Sequence, residues 1–311
     1  EEMLRDDRVV QWGEDIADYG GAYFVTAGLL EEFGRDRIFN ASISESAICG
    51  TAVGAAMAGL RPVVELMYFD FALQASDQIS NQAGKWHYMS GGQRTVPLVI
   101  RASAGGGKGY GGQHSQSLES MFCHIPGLRI AVPSNPYDAK GLLKTAIRDD
   151  NPVLYVEGQL LYGMKGEVPE GDYLIPFGQA AVKVPGRHCT FVGWSYVVNE
   201  AVKAAALLKA EGIELEVIDA CTLVPFDYDT VLASVRKTGR VIVASQAVKI
   251  GSYTADVADT ITRRAFDWLD APPVRLGAGN SVSPQAKGME KAYLVWAEDI
   301  VREAKALCGK R

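Results

Sequence analysis

Two residues of this 311-residue chain combine a reactive side chain with an unusual setting. Glu45 stands in "SISESAICGTAVGAAMAGL", between small polar residues and a long stretch of Ala, Gly, Val and Met. A carboxyl group at the edge of such an apolar contact is partly desolvated, its pKa rises, and it can share a proton with a ring nitrogen. The same letters spell a capping box, Ser42-x-x-Glu45, in which the hydroxyl and the carboxylate satisfy free N–H groups at a helix start. Gly50, Gly54 and Ala58 recur every four residues along that helix, a small-residue stripe that lets another helix or a ligand approach. Cap and acid both remain open on this pattern.

The second is His114, which ends the glycine-rich stretch "RASAGGGKGYGGQHSQS". Glycines let a backbone approach a ligand closely, and a histidine at a loop tip can transfer protons near neutral pH. The plain alternative is a surface histidine capped by its neighbours. Gly107, Gly109 and Gly112 also match the GxGxxG dinucleotide fingerprint. Its second half is missing, because the next strand, "LRIAVP", runs into Pro133-Ser134 where an acid should meet the ribose hydroxyls. His124 reads as a structural residue or helix C-cap, and His87 and His188 have no partner pattern. These four histidines form no metal-hydrolase arrangement. Met67, Tyr68, Phe69 and Phe71 cluster where a strand turns into a helix, a place for core packing or for a planar ring.

The elements that must position these groups follow from alternation. "RVVQWG", the helix after Ser44, "RPVVELMY", the amphipathic "LQASDQISNQAGKWHYM", "PLVIRA", "LRIAVP", a helix from Tyr137 to Asp149 and "PVLYVE" form one set. "HCTFVGW", a helix from Val197 to Glu211, "ELEVID", a helix from Tyr228 to Lys237, "RVIVAS", a helix from Ser252 to Phe266 and "PPVRLG" form a second. Short apolar runs alternating with helices predict an α/β protein of two domains, each a mainly parallel sheet flanked by helices. "GMKGEVPEGDYLIPFG" is the linker. Asn135, Pro136 and Asp138 form a helix start, with a capping amide, a fixed φ and a charge opposing the dipole.

Composition narrows the partners. At 48% hydrophobic and 22% charged residues the chain can bury a large core. Its net charge of −6 argues against a nucleic-acid partner. Ala47 to Leu60 is too short and too rich in Gly and Ala to span a bilayer, so no membrane partner is expected. Five scattered cysteines without CxxC pairs argue against a disulfide framework or a zinc site and for a reducing compartment.

"GEDIADYGGAYFVTAGLLEEFG", "SISESAICGTAVGAAMAGLRPVVE", "HSQSLESMFCHIPGL" and "PSNPYDAKGLLKTAIRDDNPV" together resemble the β-subunit of the thiamine-diphosphate-dependent decarboxylating component of 2-oxo acid dehydrogenase complexes. Pyruvate, branched-chain 2-oxo acid and acetoin dehydrogenases share that component. The resemblance is dense from Val10 to about Tyr162 and looser beyond. It implies a pyrimidine-binding domain over residues 1–175 and a transketolase C-terminal-like domain over 176–311. It also implies an α2β2 heterotetramer with an α-subunit, a lipoyl-bearing acyltransferase core as partner, and a small 2-oxo acid substrate. Pyruvate leads, with acetoin cleavage or a transketolase-like half-enzyme as alternatives. The setting implied is the cytoplasm of a bacterium or archaeon in the first place, and the mitochondrial matrix in the second. The family's α-subunit holds magnesium and the cofactor diphosphate through Gly-Asp-Gly; that triplet does not occur here, so the chain should supply half of each site.

By the same resemblance, Glu45 matches the glutamate that hydrogen-bonds the aminopyrimidine ring, and Met67, Phe71 and Gln74 match residues lining the pyrimidine pocket. His114 matches the histidine of reductive lipoyl acylation, as a proton donor or as an orienting group. Leu98, Ala146, Asp149 and Asn151 fall where some members bind potassium, and hard cations prefer such oxygen ligands. Two departures lie in the C-terminal domain: Ser245-Gln246 where a glutamate is common, and "GAGNSVSPQAKGME" in place of an Asp-x-Pro-x-Pro-Tyr pattern. They bear on assembly and core docking.

Overall fold

Apolar runs of three to eight residues become the strands of two sheets in a computed structural model that describes residues 1–309. They are β1 (Val9–Gly13), β2 (Ile38–Asn40), β3 (Arg61–Leu66), β4 (Val99–Ala104), β5 (Arg129–Ala131) and β6 (Val153–Gly158), then β7 (Ala181–Val184), β8 (Cys189–Gly193), β9 (Leu215–Asp219), β10 (Thr222–Val224), β11 (Val241–Val248) and β12 (Val274–Ala278). The first sheet runs β10-β5-β6-β4-β3-β1-β2 and the second β12-β11-β8-β9-β7. All pairings are parallel except β10 on β5 and β7 on β9. Two domains with mainly parallel sheets flanked by helices are thus what the alternation predicted.

Parallel sheets are covered on both faces, and β4 is buried along its whole length. Apolar side chains fill it, but Glu65, Arg101 and Glu157 of β3, β4 and β6 form a buried ion triplet with Arg–Glu distances of 3.0 and 2.9 Å. One cation between two carboxylates leaves a buried net negative charge, and burial raises the Glu157 carboxyl pKa.

Three observations depart from the sequence reading. The amphipathic segment after Met67 is not one helix: a 3₁₀ turn (Phe69–Leu73), a π-helical stretch (Gln78–Ala83) and a short helix (Trp86–Met89) replace it. The break falls at Gly84, whose backbone comes so close to Gly127 that no side chain fits between them. The linker is strapped to the helix Pro136–Arg148: Tyr173 stacks on Tyr137 at 4.7 Å and Thr145 donates to the Ile175 carbonyl at 2.8 Å. Gly141 permits this close approach, since a Cβ there would strike Ile175 and Tyr173. Finally, β10 leaves its own half of the chain and pairs with β5, stitching the domains together.

A polar cluster reinforces that stitch. Lys183 bonds Asp138 at 2.6 Å and lies 3.7 Å from Asp219, which is fully buried, accepts a hydrogen bond from Ser134 and neighbours Cys221. Burial pushes the Asp219 carboxyl up to about 6 despite the Lys183 ammonium, with Asp138 adding repulsion. A carboxyl with a raised folded-state pKa loses stability as pH rises through that value. Lys183→Met removes the cation facing both acids, and the expected cost is about 3 kcal/mol. Thermal unfolding should show a larger defect at pH 8 than at pH 5, because protonation relieves the unpaired carboxylates; a pH-independent defect contradicts this account.

Candidate active site at the carboxyl edge of the first sheet

In a parallel sheet the loops after the strands gather at one edge, where ligands bind in open α/β folds. Glu14 follows β1, Glu45 follows β2, Met67 to Gln74 follow β3, the glycine-rich loop follows β4, and Gln159 follows β6. Residues more than a hundred positions apart thus emerge at one edge of the sheet.

Glu45 is the first residue of the helix Glu45–Met57 and is only 3% exposed. The cap is Ser44, whose hydroxyl accepts the Ala47 amide at 3.4 Å, so the Ser42–Glu45 capping box does not form. The register explains it: a capping-box acid sits three residues into the helix, whereas Glu45 sits at its first turn, where the dipole favours a negative charge. Among the described residues no donor is bonded to the Glu45 carboxylate. Glu14 faces it instead. Burial first, then repulsion from Glu45 and Asp15, raises the Glu14 carboxyl pKa, and Glu14 Oε1 is buried without a partner.

The small-residue stripe divides. Gly50 packs against Gln78, while Gly54 is exposed and meets nothing within 4 Å. Ser46 donates to the Gln74 carbonyl at 2.6 Å, tying the start of the Glu45 helix to the end of the Met67–Gln74 segment. Met67 and Phe71 are half-buried and Gln74 is exposed, leaving this edge open, whereas Phe69 is core, packed on Phe122.

His114 is half-buried, its ring edge-on to Tyr68 at 5.1 Å and Phe71 at 5.2 Å. Gln159 donates to its carbonyl at 2.6 Å. Asp70, next to Phe71, accepts the Gln116 amide and side chain at 3.2 and 2.8 Å; burial raises its carboxyl pKa and its other oxygen has no partner. Tyr110 leans on Tyr68 at 5.8 Å, and Tyr23 stacks on Tyr162 at 4.0 Å. Glu14, Tyr23, Asp70, Tyr110, Gln159 and Tyr162 were not singled out in the sequence. Glu14 and Asp70 left a signal there, each an acid directly after an apolar run.

The other histidines take structural bonds. His124 ends a helix, His87 bonds the Arg94 carbonyl at 2.9 Å, and His188 accepts the Glu214 amide at 2.9 Å. The glycine-rich loop does not leave its amides to a phosphate: Gly107 and Gly109 donate to the two oxygens of Glu290, at 2.7 and 3.0 Å. Both C-terminal departures reach this loop. Gln246 lies against Gly105, and Val282 and Gln285 against Gly112 and Gly109.

Leu98, Ala146, Asp149 and Asn151 gather where the helix Pro136–Arg148 returns to β6 beside β4. The Asp149 carboxylate is held by Arg129 at 2.9 Å and by Asn151 at 2.8 and 2.7 Å, and Arg61 takes its carbonyl at 2.6 Å. A cation there would rely on the remaining backbone carbonyls. Among the described residues, the cluster with metal-ligand spacing is Asp138, Asp219 and Cys221, which already faces Lys183. The edge around Glu45 therefore fits the pyrimidine half of a thiamine cofactor, with a buried acid, flanking apolar surface and an amide. Among the described residues it shows no carboxylate cage for a divalent metal.

Residues 1–165 match the family "Transketolase, pyrimidine binding domain", and residues 178–300 match "Transketolase, C-terminal domain". Among curated relatives, the pyruvate dehydrogenase E1 component subunit beta of Rickettsia felis is 45% identical, covering 99% of this chain and 94% of that protein. The same subunit of Rhizobium meliloti is 44% identical, over 100% of this chain and 68% of its own length. The acetoin:2,6-dichlorophenolindophenol oxidoreductase subunit beta of Cupriavidus necator is 44% identical, with coverages of 98% and 93%. A solved split-gene transketolase, an inactive beta4 tetramer, shares the fold at a TM-score of 0.80 with 23% identity, covering 99% of this chain and 95% of that one. Both transketolase domains in order, and relatives of this similarity over nearly the whole chain, show that it belongs to the β-subunit family of the 2-oxo acid dehydrogenase decarboxylating (E1) components.

Proposed function

We propose that this chain, paired with an α-subunit in an α2β2 heterotetramer, completes a thiamine diphosphate site that decarboxylates a 2-oxo acid and passes the acyl group to a lipoyl-lysine of an acyltransferase core. Pyruvate is the leading substrate, by the names of the relatives. Acetoin is the second reading, because the Cupriavidus relative named for it is 44% identical. The observation that carries the proposal is Glu45: a buried carboxylate at a helix start, bonded by no donor among the described residues, at the edge where five strand ends meet.

Thiamine diphosphate, when bound, supplies the electron sink for loss of carbon dioxide. The chain's own residues do the rest on this side of the site. Glu45 holds a proton against the pyrimidine ring nitrogen, and the neighbouring Glu14, with its raised pKa, limits the negative charge facing it. Met67 and Phe71 pack on the ring and exclude water, and Gln74 offers an amide at the open side. His114, held edge-on by Tyr68 and Phe71, gives a proton to the lipoyl sulfur as the acyl group transfers. Magnesium and the diphosphate belong to the α-subunit in this reading. Potassium, if bound at Leu98, Ala146, Asp149 and Asn151, is structural. The cytoplasm is the proposed setting; among the described residues no helix is long and apolar enough to cross a membrane.

Glu45→Gln keeps the volume and replaces the ionisable carboxyl group by an amide that cannot take up or release a proton. In the reconstituted α/β complex, decarboxylation of pyruvate and of branched-chain 2-oxo acids, and cleavage of acetoin, should each fall by about a thousandfold, with the heterotetramer intact by sedimentation. Near-normal turnover with any of these substrates would sink the assignment. His114→Ala should lower lipoyl acylation by about a hundredfold while turnover with a dye acceptor stays within about twofold. Equal loss in the two assays contradicts the role given to His114.

A further inference from the structure

The eight residues 105–112 contain six glycines, and Gly105, Gly107, Gly109 and Gly111 all have positive φ. Such a segment has the largest backbone entropy of any in the chain and holds one shape only if something outside pins it. Residues of alternating handedness turn successive N–H groups to the same side, forming a concavity that takes an anion. Here the anion belongs to the chain itself. Glu290, from the helix Lys287–Tyr293 of the second domain, places one oxygen on the Gly107 amide at 2.7 Å and the other on the Gly109 amide at 3.0 Å.

Glu290 is 3% exposed and forms no ion pair among the described residues. A buried carboxylate without a cation is costly unless both oxygens are hydrogen-bonded, so its partnership with the two amides is strongly favoured. The glycines are needed for the approach: a Cβ at Gly107 would strike Leu160, and one at Gly106 would meet Glu290 itself. From the clamp the path to His114 is short. Gly109 carries Tyr110 onto Tyr68 at 5.8 Å, and His114 packs on the same Tyr68 ring at 5.1 Å. Asp70 and Gln159 hold the far end of the loop from the first domain, through Gln116 and the His114 carbonyl.

We propose that Glu290 is a positioning residue: its carboxylate clamps the Gly107 and Gly109 amides across the domain boundary and thereby fixes the His114 loop for acyl transfer. The effect on acyl transfer rests on the reading of His114 given above; the clamp itself does not.

The test uses Glu290→Gln in the full α/β complex, with Met289→Ala, an exposed neighbour, as control. Gln keeps the shape but presents an NH2 group to one of the two amides. Deuterium exchange of peptides spanning residues 105–114 should accelerate at least tenfold in Glu290→Gln and not in Met289→Ala. The kcat for lipoyl-domain acylation should fall ten- to a hundredfold with KM within about twofold, and dye-coupled decarboxylation should stay within about twofold. Should Glu290→Gln not fold, Glu290→Asp, which withdraws the charge by one methylene, should give the same split. Unchanged exchange overturns the clamp whatever His114 does. Faster exchange with unchanged acylation, while His114→Ala is selectively impaired, overturns the positioning role. Loss of selectivity in His114→Ala itself condemns the reading of His114 and leaves the clamp to stand on exchange alone.

Discussion

The constraint on which this structure depends is burial of the parallel sheet on both faces. Strands β3, β4 and β6 have almost no surface on which to place a polar group, so polar chemistry collects where the chain leaves the sheet. The exception, the Glu65–Arg101–Glu157 triplet, is satisfied inside the sheet and keeps a negative charge there. The groups of the candidate site emerge at the carboxyl edge, from the ends of five strands. Glu45 is carried there by the end of β2, buried at the first turn of its helix with no donor bonded to it among the described residues.

The second domain takes part in the same site rather than merely following it. β10 lies in the first sheet, Lys183 pairs with Asp138 across the boundary, and the Trp194 indole donates to the buried Glu119 at 2.9 Å. The Glu290 clamp belongs to this set. Each joint places a buried polar group of one domain on a partner in the other, so sliding the domains apart would strand charges in an apolar medium. The His114 loop lies at such a joint, held through the Gly107 and Gly109 amides by Glu290 of the C-terminal domain.

Much of this could be read from the sequence, and the exceptions have physical causes. The alternation of apolar runs and helices located both sheets because a doubly covered strand needs continuous apolar residues. Glu45 and His114 stood out through their surroundings, and the structure brings the loops that bear them to one edge. The cap was misread by two residues because "SISES" offers two serines, and spacing does not say which one adopts the extended backbone; Ser44 does, at φ −165°. β2, β7 and β10 escaped notice because strands of three or four residues carry no periodicity, whereas the equally short β5 lies within the longer apolar run "LRIAVP". Glu290 could not be foreseen: it lies 183 residues from Gly107, and only tertiary packing brings them together. The glycine pattern matched only half of a dinucleotide fingerprint, and the structure fills its Gly107 and Gly109 amides with a carboxylate of the chain itself.

The central claim is that this chain carries the pyrimidine half of a shared site and depends on its partner for the rest. Calorimetric titration of thiamine diphosphate with magnesium, into this chain alone and into the α/β complex, measures it most directly. The account predicts binding at least a hundredfold weaker to the isolated chain, and no magnesium dependence there. Tight, magnesium-dependent binding by this chain without a partner would contradict it.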